Sequence, residues 1–198
     1  MTTFDVFNGD ADGICALLQL RLANPLESIL VTGVKRDIRL LQRVNAVAGD
    51  RVNVLDVSLA QNRDDVLRLL DTGVELFYVD HHMAGEIPDH PGLDAIIDTA
   101  PDVCTSLLVD HYLSGRFTPW AVTAAFGDNL VTAAETIGRR AGLSQAQLER
   151  LRVLGTCVNY NGYGETVNDL HVAPDALFRS LLAYSNPEDF IADPSSCY

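Results

Sequence analysis

The residues able to do chemistry fall in four short stretches. Asn8, Asp10 and Asp12 alternate within Asn8-Gly9-Asp10-Ala11-Asp12-Gly13, Asp56 lies in the apolar run Val52-Asn53-Val54-Leu55-Asp56-Val57, and Asp80-His81-His82 stops the run Phe77-Tyr78-Val79. Asp128 follows Gly127 at the end of an Ala-rich segment. Carboxylates and imidazoles together suit a divalent ion of borderline hardness. A carboxylate among apolar neighbours must be paired, protonated or metal-bound, since burying it bare is costly. That makes Asp56 a stronger ligand candidate than any surface acid. Asp10 and Asp12 have a competing reading as helix caps, but alternating oxygen-bearing side chains flanked by Gly9 and Gly13 favour ligation. Thr105 and Ser106, in the first turn of a helix, either cap it or hold a phosphate through nearby backbone N–H groups. His90 and His111 read as structural, and Arg36, Arg39 and Arg43 as a solvated face, with a substrate phosphate as the alternative partner of one of them.

These residues need elements to position them, and the sequence alternates strands with helices. Strands are expected at residues 3–7, 28–33, 51–57, 75–79 and 93–97, from their β-branched and aromatic runs. Helices are expected at 14–22, 37–48, 63–72, 103–113, 119–130, 131–142, 144–154 and 174–184, with Gly73 ending the third of them and Ser144 capping the seventh. In residues 37–48 the apolar face would be Ile38, Leu41, Val44 and Val47. Such alternation implies right-handed crossovers and an α/β, Rossmann-like parallel sheet of about five strands. Ligands gather at the carboxyl ends of such strands. Asn8, Asp10, Asp56 and Asp80 to His82 all fall there, from three different strands.

The 198 residues, 47% of them hydrophobic, suffice for a packed core. The N-terminus has no basic leader and no apolar run is long enough to span a bilayer, so a cytoplasmic protein without membrane attachment is expected. Cys15, Cys104, Cys157 and Cys197 show no C-x-x-C spacing, the pattern of a reducing compartment. The net charge of −13, with Lys35 the sole lysine, excludes the broad basic surface that long duplex nucleic acid requires. A bound cation can still reverse the sign locally for a small phosphorylated substrate.

In their order, Asn8 to Gly13, Asp56, Asp80-His81-His82 and Asp128 resemble the four motifs of the DHH phosphoesterase superfamily. That superfamily includes RecJ-type single-strand exonucleases, oligoribonucleases, cyclic-dinucleotide phosphodiesterases and family II inorganic pyrophosphatases. The resemblance covers about residues 1–150. It implies that Asp10, Asp56, His81 and Asp128 bind one manganese-type ion, with magnesium as the alternative, and that Asp56 bridges to a second. Family members hold the second ion with a further acid and often a histidine; here those positions are Asn8 and Phe4, which weakens the second site. Asp12 is the acid available to supply the missing charge. His82 would contact the scissile phosphate, with Asp80 orienting the imidazoles.

The expected activity is hydrolysis of short oligonucleotides, cyclic dinucleotides or other small phosphoesters by metal-activated water. The alternatives are a degenerate nucleotide-binding or interaction module without turnover, and an inorganic pyrophosphatase. Residues 1–154 would form the catalytic domain and 155–198 an extension or the start of a reduced second domain, since nothing after Gly155 matches the glycine-rich substrate-binding domain of two-domain members. The chain would then be truncated or minimal. Substrate binding would fall to residues 155–198 or to a partner subunit in a homodimer; Asn159 to Glu165 is either a substrate lip, with Tyr160 and Tyr163 stacking on a base or sugar, or a connecting loop.

Overall fold

Strands that are apolar on both faces belong in the middle of a parallel sheet covered on both sides. The computed structural model describes residues 1–196 and shows this arrangement. Five strands, β1 (Thr3–Phe7), β2 (Ile29–Val31), β3 (Arg51–Leu55), β4 (Glu75–Asp80) and β5 (Leu93–Ile97), form one sheet in the order β2-β1-β3-β4-β5. Every pairing is parallel, with Phe7 opposite Leu55 and Leu55 opposite Val79. The strand order reverses between β1 and β3, and the crevice outside the carboxyl ends at such a reversal is where α/β sheets bind ligands.

Side chains alternate across the sheet. Val6, Val52, Val54, Leu76 and Tyr78 face one layer, packed against α2 (Leu59–Asp71). Phe7, Leu55, Phe77 and Val79 face the other. There α1 (Ala11–Ala23) lies buried on nearly every side, as its run of Ile, Leu, Ala and Cys requires. Around it pack α3 (Thr105–Tyr112), α4 (Thr118–Gly127), α6 (Gln145–Asn161) and α7 (Pro174–Leu181), with α5 (Val131–Arg140) and α8 (Pro187–Ala192) further out. Among the described residues no helix is long and apolar enough to cross a membrane. Cys15 and Cys104 are buried free thiols and Cys157 is exposed; Cys197 lies outside the described residues.

Two expectations need revision. The helix expected over residues 37–48 is only a single 3₁₀ turn, Leu40–Arg43. Its backbone groups are satisfied by α2 instead: Asn62 donates to Ile38 O at 2.6 Å and accepts from Leu41 N at 3.3 Å, and Arg68 donates to the carbonyls of Leu41 and Val44. With no capping side chain at Arg39 and β-branched residues following, the segment extends after one turn, leaving Ile38 and Val47 exposed. Second, the helix expected to end at residue 154 continues to Asn161, so Asn159-Tyr160-Asn161 is its last turn rather than a loop. Residues 154 and 155 are consecutive positions of that helix. Leu154, Val158, Leu177, Phe178, Leu181 and Phe190 share one apolar cluster with Phe7, Ile14, Leu17 and Trp120.

The helices α4 and α6 cross at backbone contact. A Cβ on Gly155 would lie 2.0 Å from Thr123 O, and one on Gly127 would lie 2.5 Å from Ala11 Cβ and 2.8 Å from Gly155 O. Only glycine permits this approach.

One buried polar network sits within the sheet. Asp5, on β1, accepts from Arg21 Nε and Nη2 at 2.7 Å each, from Asn53 Nδ2 at 2.7 Å and from Ser28 Oγ at 2.6 Å. Both members of the ion pair are nearly inaccessible. The forked guanidinium reaches β1 from the last turn of α1 and so fixes the helix against the strand. Arg21→Ala leaves the Asp5 carboxylate buried without its counter-charge. A loss of about 3 to 5 kcal/mol of unfolding free energy is expected, measurable by urea denaturation.

Candidate metal centre

Five acids and two histidines converge at the carboxyl edge of the sheet. Asp10 caps α1, its Oδ1 accepting from Asp12 N at 3.0 Å and Gly13 N at 3.1 Å. Capping and ligation are thus not alternatives for this residue: its other oxygen, Oδ2, faces the cleft and meets Lys35 Nζ at 2.7 Å. Asp56 follows β3 in the left-handed backbone region, φ 57°, where a non-glycine residue is uncommon and costs conformational energy. That turn brings its carboxylate back over the end of the sheet. Asp128 follows the last residue of α4, and the glycine contact between α4, α6 and α1 brings it to the same edge.

His81 organises the cluster. Its Nδ1 lies 3.1 Å from Val103 O, which can only accept, so Nδ1 carries the hydrogen and Nε2 presents a lone pair. Nε2 stands 3.4 Å from Asp56 Oδ1, 3.8 Å from Asp12 Oδ2 and 3.8 Å from Asp128 Oδ2. His82 turns the other way, its Nδ1 2.7 Å from Asp80 Oδ1 and 3.8 Å from Asp56 Oδ1. Two sets of side chains therefore come within reach of a common ion, Asp56-His81-His82 and Asp12-His81-Asp128, with His81 in both. The donor chemistry, imidazole nitrogen with carboxylate oxygens, fits a divalent ion such as manganese, zinc or magnesium.

The grouping differs from the one the family resemblance implies. Asp12 joins His81 and Asp128, while Asp10 is engaged by Lys35 and lies against Asp56. Asn8 donates its Nδ2 hydrogen to Lys35 O at 3.1 Å, and its buried Oδ1 has no hydrogen-bond partner. Thr105 and Ser106 are fully buried behind the carboxylates, not open to the cleft. Their N–H groups, the anion-binding end of α3, donate to Asp12 at 2.7 Å each, and Ser106 Oγ donates to Asp12 O at 2.8 Å. The helix end, read from the sequence as either a cap or a phosphate site, holds an internal carboxylate. Arg36 donates to Gly164 O and Arg43 pairs with Asp37 at 2.6 Å. His90 accepts from Gly92 N within its loop.

Sequence reasoning missed Lys35 as a member of the site. The available signal was its position: it follows β2 as Asp10 follows β1, at the same edge of the sheet.

No protein-family model matches the sequence, and no curated protein matches it. Comparison with solved structures does find similar chains. A structure of exonuclease RecJ bound to manganese superposes with a TM-score of 0.56 at 18% identity, covering 92% of this chain and 56% of that one. A RecJ from Thermus thermophilus in complex with Mn2+ gives 0.46 at 15% identity, over 94% of this chain and 35% of that one. An uncharacterized protein from Helicobacter pylori gives 0.41 at 15% identity, over 100% and 66%. The first of these structures shares the fold of this chain, the α/β fold of a RecJ-like domain. The chain spans little more than half the length of the first RecJ structure.

So many acids at one edge raise one another's proton affinity. Burial, then the charges of Asp10, Asp12 and Asp80, push Asp56 well above the usual carboxylate range. Burial, then Asp12 and Asp10, push Asp128 from 3.8 up to about 6. The folded chain therefore holds protons that the unfolded chain has released, and metal-free stability falls as pH rises from 3.8 through about 6. Asp128 alone contributes about 1 to 2 kcal/mol of this loss once solvent screening is allowed for. Asp56→Asn is expected to raise the metal-free Tm at pH 7.5 while abolishing the further rise that added manganese gives the unsubstituted chain; thermal melts at pH 5 and 7.5 measure both.

Proposed function

We propose that the chain is a metal-dependent phosphoesterase acting on short single-stranded oligonucleotides, cyclic dinucleotides or other small phosphoesters. One observation carries this reading. A histidine nitrogen, oriented by a backbone carbonyl, is turned toward Asp12, Asp56 and Asp128 at 3.4 to 3.8 Å, at the carboxyl edge of a parallel sheet. Bound among these groups, a divalent ion supplies Lewis acidity, polarising a phosphoryl oxygen and lowering the pKa of water from about 16 toward 7. The RecJ structure that shares the fold holds manganese, which makes manganese the first ion to test and magnesium the second.

The remaining work falls to the chain. The hydrogen bond of His81 Nδ1 to Val103 O holds the ring with Nε2 turned to the acids. His82 serves the substrate side: its hydrogen bond to Asp80, opposed by burial, raises its pKa, and its Nε2–H is left to donate to a non-bridging phosphoryl oxygen. Asp80, fully buried, acts as a positioning residue for that ring. Beside the centre lies an open cleft of about 740 Å³ bordered by Lys35, Arg36, Tyr163 and Gly164, a size suited to a small-molecule ligand. Arg36 offers a phosphate contact that the chain's charge of −13 otherwise opposes, and Tyr163 offers a ring to a base. The acidic remainder of the surface disfavours long duplexes.

A second reading, a nucleotide-binding module without turnover, is favoured by the pairing of Asp10 with Lys35. A manganese-supplemented panel of dinucleotides, cyclic dinucleotides, nucleotide bisphosphates and pyrophosphate separates the two and includes the pyrophosphatase alternative. Turnover of a phosphodiester is expected, lost on chelation, with kcat lowered about 10²-fold by His82→Ala. Binding without turnover of any of these would select the second reading.

A further inference from the structure

Lys35 is held from every direction. Its N–H donates to Gly162 O at 2.9 Å, and its carbonyl accepts from Asn8 Nδ2 at 3.1 Å. The loop behind it is pressed against the first motif so closely that a Cβ on Gly9 would lie 1.9 Å from Gly33 O. The side chain then crosses the edge of the sheet. Its ammonium donates to Asp10 Oδ2 at 2.7 Å and Asn159 Oδ1 at 2.9 Å, and lies 3.7 Å from Asp128 Oδ1.

Asp128 therefore divides its oxygens between two cationic positions. Oδ1 looks to the ammonium of Lys35, and Oδ2 stands 3.8 Å from Nε2 of His81. In a two-metal site a shared carboxylate commonly spans a pair of ions about 3.5 to 4 Å apart. Here one side of the shared carboxylate carries a fixed ammonium.

From this geometry we infer that Lys35 is a resident cation of the centre, its ammonium standing at Asp10 Oδ2 and beside Asp128 Oδ1 in place of a divalent ion that those two carboxylates would share, so that the chain holds one divalent ion. The inference rests on the metal-dependent reading of the site. It also gives Asn8 a role. An aspartate at that position would bring a further charge but no hydrogen to donate to Lys35 O, so the neutral amide and the lysine form a matched pair. Asn8 is accordingly a positioning residue for Lys35, not a weakened ligand.

The test is metal content, read independently of activity. The full chain is titrated with manganese by calorimetry and examined by electron paramagnetic resonance. About one ion per chain and an uncoupled six-line manganese spectrum are expected. In the double variant Asn8→Asp Lys35→Ala, stoichiometry should rise to about two, with the multiline signature of a coupled pair. Two ions in the unsubstituted chain overturn the inference and leave the metal-dependent function standing. No bound ion overturns that function and the inference with it. A folded double variant, verified by circular dichroism, that still holds one ion also overturns the inference; if it does not fold, the count for the unsubstituted chain decides alone.

Discussion

Repulsion among buried carboxylates is the constraint on which this molecule depends. Asp10, Asp12, Asp56 and Asp80 are all buried at one edge of the sheet, with Asp128 partly buried beside them. Packing cannot remove that cost; it can only supply counter-charge, hydrogen bonds or protons. Each acid is answered differently. Asp12 takes the first N–H groups of α3, Asp10 takes the cap of α1 and an ammonium, Asp80 takes an imidazole, and Asp56 and Asp128 are met by a raised proton affinity. Asp56, the acid nearest Nε2 of His81, is among those met by protons rather than by anchoring hydrogen bonds.

This division explains how one edge can be both stable and reactive. The anchored acids set the frame, and Asp5 performs the same service within the sheet, where Arg21 fixes α1 against β1. With the helix fixed, Asp10 and Asp12 at its other end have defined positions. The unanchored acids retain the electrostatic strain that binding a cation relieves, which is why affinity for a metal and instability without one arise from the same groups.

Much of this was legible in the sequence, for identifiable reasons. Strand-helix alternation implied the parallel sheet, and the acids and histidines terminating apolar strands implied where they would meet. Asp56 stood out because a charge inside an apolar run needs a partner. What escaped prediction depended on contacts between distant parts of the chain. Nothing local to Asp10 indicates that its free oxygen meets Lys35, nor that Asn159, at the far end of α6, completes the ammonium's shell. Thr105 and Ser106 looked like an anion site because they are one; the anion is Asp12, 93 residues earlier for Thr105. The orientation of His81 rests on the carbonyl of Val103, which any residue would carry. The helix expected at 37–48 was lost to side chains of α2 that satisfied its backbone first.

The crossing of α4 and α6 at Gly127 and Gly155 has a consequence beyond close packing. Asp128 lies one residue past the first glycine, and Asn159 lies four residues, about one helical turn, past the second. The backbone contact thus works as a fulcrum close to two of the three groups around the ammonium, Asp128 and Asn159. The span from the acid to the amide is gauged by two hydrogen atoms, those that glycine bears in place of side chains.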